Sequence, residues 1–197
     1  MNEPQISILS SRFSTDTWSE NEQYRNRRNI PGCIYGCPLR ISSKIHVNAI
    51  AYVLEMNNTT NQIEGVGIIR NYPNFEQPPW IYTNNNYNRY IYQGDYRMDR
   101  EAIMRYNTEL VEAIENICFK GKTHLKRGAG LTLVPDKLLV PKKNDEEQTE
   151  DTNHNNTKKA LTTNIRRDLQ NVFRTHFRGI DNHEIQNKNN NCLARYS

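Results

Sequence analysis

The segment from Tyr87 to Arg100 has the residue types that bind unpaired bases and phosphates. It reads YNRYIYQGDYRMDR and contains four tyrosines and three arginines. In a strand, Tyr90 and Tyr92 share one face and Arg89 lies on the other, because side chains alternate. A tyrosine that stacks on a base contributes about 1–3 kcal/mol, and arginines contact phosphates. We therefore predict that these three residues and Arg97 bind nucleic acid; the alternative is a buried strand, in which tyrosine is also favoured.

A second cluster of cations lies in the glycine-rich segment 120–130, KGKTHLKRGAG. Its cations neutralise phosphates well, and its glycines allow a backbone to approach a ligand closely. Cations at the end of a helix also complement the helix dipole, which is the alternative explanation. Four cations within eight residues exceed what a helix end requires, so we predict contact with nucleic acid. The cations are Lys120, Lys122, Lys126 and Arg127.

Three cysteines and one histidine are candidates for a tetrahedral zinc site, since thiolates and imidazoles are the usual zinc ligands. They are Cys33, Cys37, Cys118 and His124. Their spacings are not those of a compact zinc knuckle, and isolated cysteines are commonly small core residues. We therefore predict no cofactor, with zinc at these four residues as the alternative.

Short catalytic motifs are absent from the sequence. It has no GxSxG or HExxH motif, and its five histidines are scattered. The GKT at residues 121–123 lacks the earlier glycine of a phosphate-binding loop. We therefore predict a protein without catalytic activity; the alternative is a small enzyme that acts on nucleic acid, with His124 at its site.

Two apolar runs predict a β-hairpin that would position these candidates. Residues 49–56 and 63–70 are rich in β-branched residues, and the NNTTNQ segment between them favours a turn. Gly65 and Gly67 in the second run indicate a bulge or a close approach of two backbones. Residues 131–134, LTLV, predict one further strand.

One helix is predicted from a cap at Asp99 to an end near Gly121. Its apolar residues recur at spacings of three and four: Ile103, Tyr106, Leu110, Ile114 and Ile117. With the strands around it, this helix indicates an α+β domain over residues 30–140. The fold we expect is a small, mostly antiparallel β-barrel or curled sheet with one packed helix.

The two ends of the chain are predicted to lie outside this domain. Residues 1–29 show no sustained hydrophobic period and are interpreted as a flexible arm. Residues 141–157 are interpreted as an acidic linker and residues 181–197 as a disordered tail. Residues 158–180 predict an amphipathic basic helix, whose apolar side docks on the core or on a partner protein.

Charge and hydropathy restrict the partners. The net charge of +4 and the pI of about 8.8 permit nucleic acid without requiring it. No apolar run approaches the roughly 20 residues of a membrane span, and the first residues lack the pattern of a secretory signal. We therefore expect an intracellular protein with no membrane partner and with reduced cysteines.

Two resemblances add to these patterns. Residues 31–41 (PGCIYGCPLRI), 52–56 (YVLEM) and 63–70 (IEGVGIIR) resemble PUA-like barrels, the superfamily that contains the PUA, ASCH, EVE and YTH domains. This resemblance implies a small β-barrel that binds RNA or a modified base. Trp18 and Trp80 do not map onto the aromatic cage of YTH domains, so no base-pocket residue is carried over.

The second resemblance covers residues 33 to 133. The segments CIYGCPLRI, VLEMNNTTNQIEGVGIIRN, YNRYIYQGDYRMDR and CFKGKTHLKRGAGLT look like a protein family of giant nucleocytoplasmic DNA viruses, and the Asn-rich style is mimivirus-like. This resemblance implies a viral protein of the host cytoplasm, at the viral factory, or of the virion. It implies no particular activity.

Together these features predict a viral nucleic-acid-binding module. RNA is favoured, because aromatic and arginine side chains suit unstacked bases better than a duplex groove. The alternative is a structural or adaptor subunit of a virion or viral complex, which would grip protein partners through residues 1–29 and 158–197.

Overall fold

The computed structural model describes residues 6–74, 80–140 and 163–177, and within them the chain has an α+β fold. The strands are β1 Ser7–Phe13, β2 Cys33–Cys37, β3 Ile50–Asn57, β4 Gln62–Arg70, β5 Tyr90–Gly94, β6 Tyr96–Asp99 and β7 Thr132–Leu133. The helices are α1 Thr15–Arg27, α2 Arg100–Tyr106, α3 Thr108–Phe119 and α4 Ile165–His176.

Residues 6–29 belong to the folded domain, so the prediction of a flexible arm is wrong for them. β1 pairs with β3 along its whole length. Ser14 then caps α1: its hydroxyl accepts the N–H of Thr17, whose hydroxyl accepts the N–H of Ser14. Hydrophobic periodicity does not reveal α1, because the helix contributes only Trp18 and Tyr24 to the apolar core.

The predicted hairpin is confirmed as β3 and β4, which pair antiparallel. The register shifts at Glu64, so a bulge lies beside Gly65 as the glycines indicate. Gly67 faces β2, and a Cβ at this position would lie 2.2 Å from the Tyr35 hydroxyl oxygen. A residue without a side chain therefore lets β2 pack closely against β4.

The main sheet has the strand order β6-β4-β3-β1-β7, and β2 and β5 form a second, two-stranded sheet. β1 and β3 are parallel, and the other strand pairs of the described residues are antiparallel. β6 and β7 are the two edges of the main sheet and do not pair, so the predicted barrel is wrong. The crossover between the parallel β1 and β3 runs through α1 and β2. It therefore covers one face of the sheet with a second layer in place of closure.

The predicted helix from Asp99 to Gly121 is two helices, α2 and α3. Asn107 has extended backbone angles, ends α2 and caps α3, where its side-chain oxygen accepts the N–H of Leu110 at 3.0 Å. Asp99 makes no capping hydrogen bond, because its carboxylate pairs with Arg97. The apolar period continues through the break, and only the asparagine marks it.

The predicted C-terminal amphipathic helix is present as α4. Ile165, Leu169, Val172 and Phe173 are buried against the rest of the chain, so the apolar side docks on the protein's own core. The predicted linker 141–157 and tail 181–197 lie outside the described residues. None of the described helices is both long enough and apolar enough to cross a lipid bilayer.

The main sheet separates two apolar cores. On one face, Tyr52, Leu54 and Met56 of β3 pack with α2, α3 and α4. On the other face, Ala51 and Val53 of the same strand pack with α1, β2 and β5. This alternation follows from the period of two in a strand that is buried on both faces.

Candidate nucleic-acid interface

β5 contains the two tyrosines predicted to stack on bases, and Tyr92 cannot do so. Its side chain is 1% exposed, and its hydroxyl accepts the N–H of Ile41 at 3.1 Å. Burial raises the pKa of this hydroxyl. The prediction for Tyr92 is wrong, because β5 packs into the second core and both Ile91 and Tyr92 are buried there.

Tyr90 is half-buried and lies beside two exposed arginines. The guanidinium carbon of Arg40 is 5.3 Å from the centre of the Tyr90 ring, and that of Arg89 is 5.9 Å from it. These are cation–π distances, at which the ring attracts both cations. We call these three residues the tyrosine–arginine stack, a site where two positive charges meet the surface together.

Arg97 is buried in an ion pair, so its prediction as a phosphate ligand is wrong. Its Nη2 lies 2.9 Å from Glu55 Oε2, and the two side chains are 6% and 1% exposed. Glu55 also accepts the Tyr35 hydroxyl at 2.7 Å, and Asp99 pairs with the other end of the guanidinium. Burial lowers the pKa of Arg97, but Glu55 more than reverses this and raises it above its usual value. Its charge is therefore satisfied within the protein.

The predicted basic loop divides into two parts. Lys120 is the residue that ends α3, and Lys122 follows it in the exposed turn at Gly121. Their position agrees with the helix-end explanation. Arg127 is exposed, whereas Lys126 is half-buried and donates from Nζ to Asn61 Oδ1 at 2.7 Å. Lys126 and residues 128–130 line a cleft, and Arg127 is not among its lining residues.

The zinc candidates do not come together. Cys33 and Cys37 lie in the second core, whereas Cys118 lies in the first core, on the opposite face of the main sheet. Burial raises the pKa of each of the Cys33 and Cys37 thiols to about 12. No group of three potential metal ligands exists among the described residues. The zinc hypothesis is therefore wrong for this set.

A cleft of about 380 Å³ opens at the carboxyl ends of the parallel strands β1 and β3. Phe13 is the last residue of β1 and Ser14 follows it, and Asn58 and Thr59 follow β3. In open parallel α/β sheets, ligands commonly bind outside the carboxyl ends of neighbouring strands. We call it the Arg12 cleft, since Arg12 of β1 lines it.

Arg12 supports one wall of the cleft through neutral oxygen atoms. Its Nε donates to Leu125 O at 2.7 Å, its Nη1 to Gly130 O at 3.3 Å and its Nη2 to Ser10 Oγ at 3.2 Å. A Cβ at Gly128 would lie 3.3–3.4 Å from Cζ and both Nη atoms, so this glycine covers the flat face of the guanidinium. Burial lowers the pKa of Arg12. No carboxylate among the described residues pairs with it.

Asn58 lines the same cleft and holds one wall of it. Its Nδ2 donates to Lys126 O at 3.1 Å, which fixes the orientation of the amide because the opposite orientation would place two oxygens together. Its Oδ1 is buried and has no partner among the described residues. Because this oxygen has almost no accessible surface, it is enclosed by the protein and does not present an acceptor to the cleft.

The Arg12 cleft and the tyrosine–arginine stack meet at Gly130. A Cβ at Gly130 would lie 3.2 Å from Cys37 Cβ and 3.5 Å from Leu39 O. Cys37 is the strand partner of Tyr90, and Leu39 precedes Arg40. The end of the basic loop therefore lies directly beside the strand partner of Tyr90 and the residue before Arg40.

Three residues of this interface were not predicted from the sequence: Arg12, Arg40 and Asn58. Arg12 lies in the segment interpreted as an arm, and Arg40 follows an irregular Cys-Pro-Leu segment. Asn58 lies in a stretch that favours turns, where asparagine is expected for conformational reasons alone. Of the three, only Asn58 has a usable signal in the sequence, since it is a polar residue directly after the buried strand β3.

Comparison with models of known protein families, with curated protein sequences and with solved structures found no match for this chain.

Proposed function

We propose that this protein binds single-stranded nucleic acid, with RNA favoured, on the side that joins the Arg12 cleft to the tyrosine–arginine stack. The proposal depends above all on the position of Gly130, which brings the basic loop against the strand partner of Tyr90. The two regions predicted separately from the sequence thus become neighbours. Grooves for single strands combine such cations with aromatic surfaces.

The side chains on this surface suit phosphates and unstacked bases. Arg40, Arg89 and Arg127 are exposed cations, and Lys126 lines the cleft. Tyr87 is 39% exposed and lines the cleft, where it offers a ring for stacking. Bases also stack on guanidinium planes, which gives Arg40 and Arg89 a second mode of contact.

The residues lining the cleft include no acid, which favours an anionic partner. His124, the candidate for catalysis, accepts the N–H of Lys126 at 3.4 Å through Nδ1. No carboxylate among the described residues is paired with it. We therefore propose a binding module without catalytic activity as the function that these residues support best.

In the alternative, a structural or adaptor subunit, the two ends of the chain would bind protein partners. In the described residues, β1 lies inside the main sheet and α4 buries its apolar side in the first core. These segments are therefore occupied within the chain. The PUA-like and giant-virus resemblances stay predictions, and with them the viral setting; the proposal stands on the surface alone.

The proposal is tested by fluorescence anisotropy with labelled single-stranded RNA of about ten nucleotides, a length within the usual site sizes. We expect binding that weakens with salt, and a double variant Arg40→Ala with Arg89→Ala that lowers the salt slope by about 1.4, since each contact to a single strand contributes about 0.7. DNA of the same sequence and duplex RNA are the competitors.

A matched control removes the same charge from the helix-covered side of the sheet, through Arg105→Ala with Lys137→Ala. Both residues are exposed, Arg105 on α2 and Lys137 in the turn at residues 136–138. This control should bind nearly as the native protein does. Equal losses in both double variants, or no binding by the native protein, would refute the proposal.

A further inference from the structure

We infer that the Arg12 cleft is a pocket for a phosphate monoester carried by a nucleoside. The source is a free nucleotide or the phosphorylated end of a nucleic-acid strand. The inference deepens the proposed function, and it rests on that function only for the second source. A nonspecific contact with a phosphate backbone does not require a defined pocket. The inference concerns the charge, the position and the hydrogen-bonding groups of such a pocket.

The unmatched charge of Arg12 is the first observation. A guanidinium has five N–H donors, and three of those of Arg12 go to neutral oxygens of Ser10, Leu125 and Gly130. The cation is thus half-buried and held in a fixed orientation, with two N–H groups left for a ligand. A desolvated cation without a counter-charge is unfavourable, and an anion in the cleft relieves that cost.

Lys126 supplies a second cation to the cleft. Its only hydrogen-bond partner for Nζ among the described residues is the neutral Asn61 Oδ1. A phosphate monoester carries a charge between about −1.5 and −2 at neutral pH, whereas a diester in a strand carries one. Two cations with no acid in the lining therefore match a monoester better than a phosphate within a chain.

The first turn of α1 is not the anion-binding group. The N–H of Thr17 is accepted by Ser14 Oγ, that of Ser14 by Thr17 Oγ1 and that of Thr15 by Thr59 Oγ1. These hydroxyls line the cleft and hold the helix end in position. The site is consequently defined by the two cations, and α1 contributes its dipole as a secondary effect.

The nucleoside part of the ligand is indicated by Tyr87, whose ring offers a face for a base to stack on. Tyr87 lies edge-on to the buried Tyr82, 6.0 Å between ring centres, so its ring is held at the cleft while part of it is exposed. The volume of about 380 Å³ lies in the lower range of small-molecule pockets.

The test uses the full chain and two matched ligand pairs. Calorimetry compares adenosine 5′-monophosphate with adenosine, and anisotropy compares strands that have a terminal phosphate, 5′ or 3′, with the same strand ending in hydroxyls. We expect the phosphorylated member of at least one pair to bind about ten- to a hundredfold more tightly. A preference in the nucleotide pair alone identifies a free nucleotide, and one in the strand pair identifies a strand end.

Variants assign the preference to the cleft. Lys126→Met removes a charge and leaves the hydrogen bonds from Arg12 to the loop intact. Arg12→Gln removes a charge and also the hydrogen bonds to Leu125 O and Gly130 O. The result for Lys126→Met is therefore decisive. The ratio of the Kd of the unphosphorylated ligand to the Kd of the phosphorylated ligand should fall to near one in both variants. The same ratio should persist in the Arg40→Ala, Arg89→Ala variant, even where that variant binds strands more weakly. A preference absent from every pair, or unchanged in Lys126→Met, overturns the inference.

The two proposals fail separately. Strands that bind equally well with and without a terminal phosphate, together with no preference in the nucleotide pair, refute the pocket and leave the nucleic-acid surface. Tight binding of the nucleotide with no binding of strands refutes the surface and leaves the pocket.

Discussion

Arg97 and Arg12 are both removed in part from water within the same sheet, and they differ in what surrounds the charge. Arg97 meets the carboxylates of Glu55 and Asp99, so the ion pair is complete within the chain. Arg12 meets two carbonyl oxygens and one hydroxyl, which accept hydrogen bonds and leave the positive charge in place. The counter-charge, more than burial or residue type, therefore separates a structural arginine from a candidate binding residue.

The glycines of the two regions differ in the same way. Gly67 meets the Tyr35 hydroxyl and the Cys33 side chain, which are groups of the core around Arg97. Gly128 meets the Arg12 guanidinium at the edge of an open cleft. One glycine therefore allows two sheets to pack, and the other allows the loop backbone to lie against a cation that lines a cavity.

The largest expected effect is on stability when Arg97 is replaced by methionine. This change leaves the carboxylate of Glu55 buried without its cation, and we expect the free energy of unfolding to fall by about 3–5 kcal/mol. Urea unfolding followed by circular dichroism measures it. The double variant with Glu55→Leu should recover much of the loss, because an apolar pair needs no counter-charge. A loss below about 1 kcal/mol in the single variant would remove the contrast with Arg12.

Gly67→Ala should give the next largest effect. Its Cβ would lie 2.2 Å from the Tyr35 oxygen, so β2 or β4 must shift, and we expect a loss of about 1–3 kcal/mol in urea unfolding. The matched control is Gly121→Ala, where nothing lies within 4 Å and only the φ angle of +77° opposes a side chain. A control that loses more stability than Gly67→Ala would show that the approach of the two sheets can relax.

The two regions also differ in how far the sequence predicts them. The hairpin, the bulge beside Gly65 and the burial of α4 follow from periodicity and glycine placement, because these features are local. β1 could not be predicted in this way. It is a parallel strand buried on both faces, so the alternating pattern of a half-buried strand is lacking, and its partner β3 is distant in the chain.

The same reason explains the outcome for individual site residues. Tyr92 and Arg97 have the composition of a nucleic-acid surface, but the layer formed by β2 and β5 buries them, and no local pattern shows that layer. Lys126 of the predicted basic loop lines the cleft, whereas Arg12, which lines it too, comes from a distant part of the chain. The binding of nucleic acid by Lys126 stays a prediction. Long-range pairing therefore decides which cations meet.

Cys33 is buried in the core beside Arg97. Burial and then Glu55 raise the pKa of its thiol from 9.0 to about 12. In the unfolded chain the thiol loses its proton near pH 9, while the folded chain keeps it until about pH 12. Stability is therefore complete below pH 9 and falls as the pH rises towards 12, by at most about 1.4 kcal/mol per pH unit for this thiol.

Urea unfolding at a series of pH values tests the role of Cys33. The Cys33→Ala variant should show a shallower decrease of stability between pH 9 and 12, and the Cys37 and Cys118 thiols, whose pKa values are also raised by burial, should account for part of the remainder. An unchanged slope in Cys33→Ala would mean that the region around Glu55 admits water.

The smallest stability effect is expected for Arg12→Met, at about 1 kcal/mol. The variant loses three hydrogen bonds, but the carbonyls of Leu125 and Gly130 are half-buried and can bind water, and the desolvated charge disappears. Urea unfolding without phosphate should thus separate Arg12→Met clearly from Arg97→Met.

A ligand that binds only the folded state adds stability that grows with the logarithm of one plus its concentration divided by its Kd. A nucleotide should therefore stabilise the native protein more than the Arg12→Met variant. Equal large losses for both arginines would show that Arg12, too, has a mainly structural role.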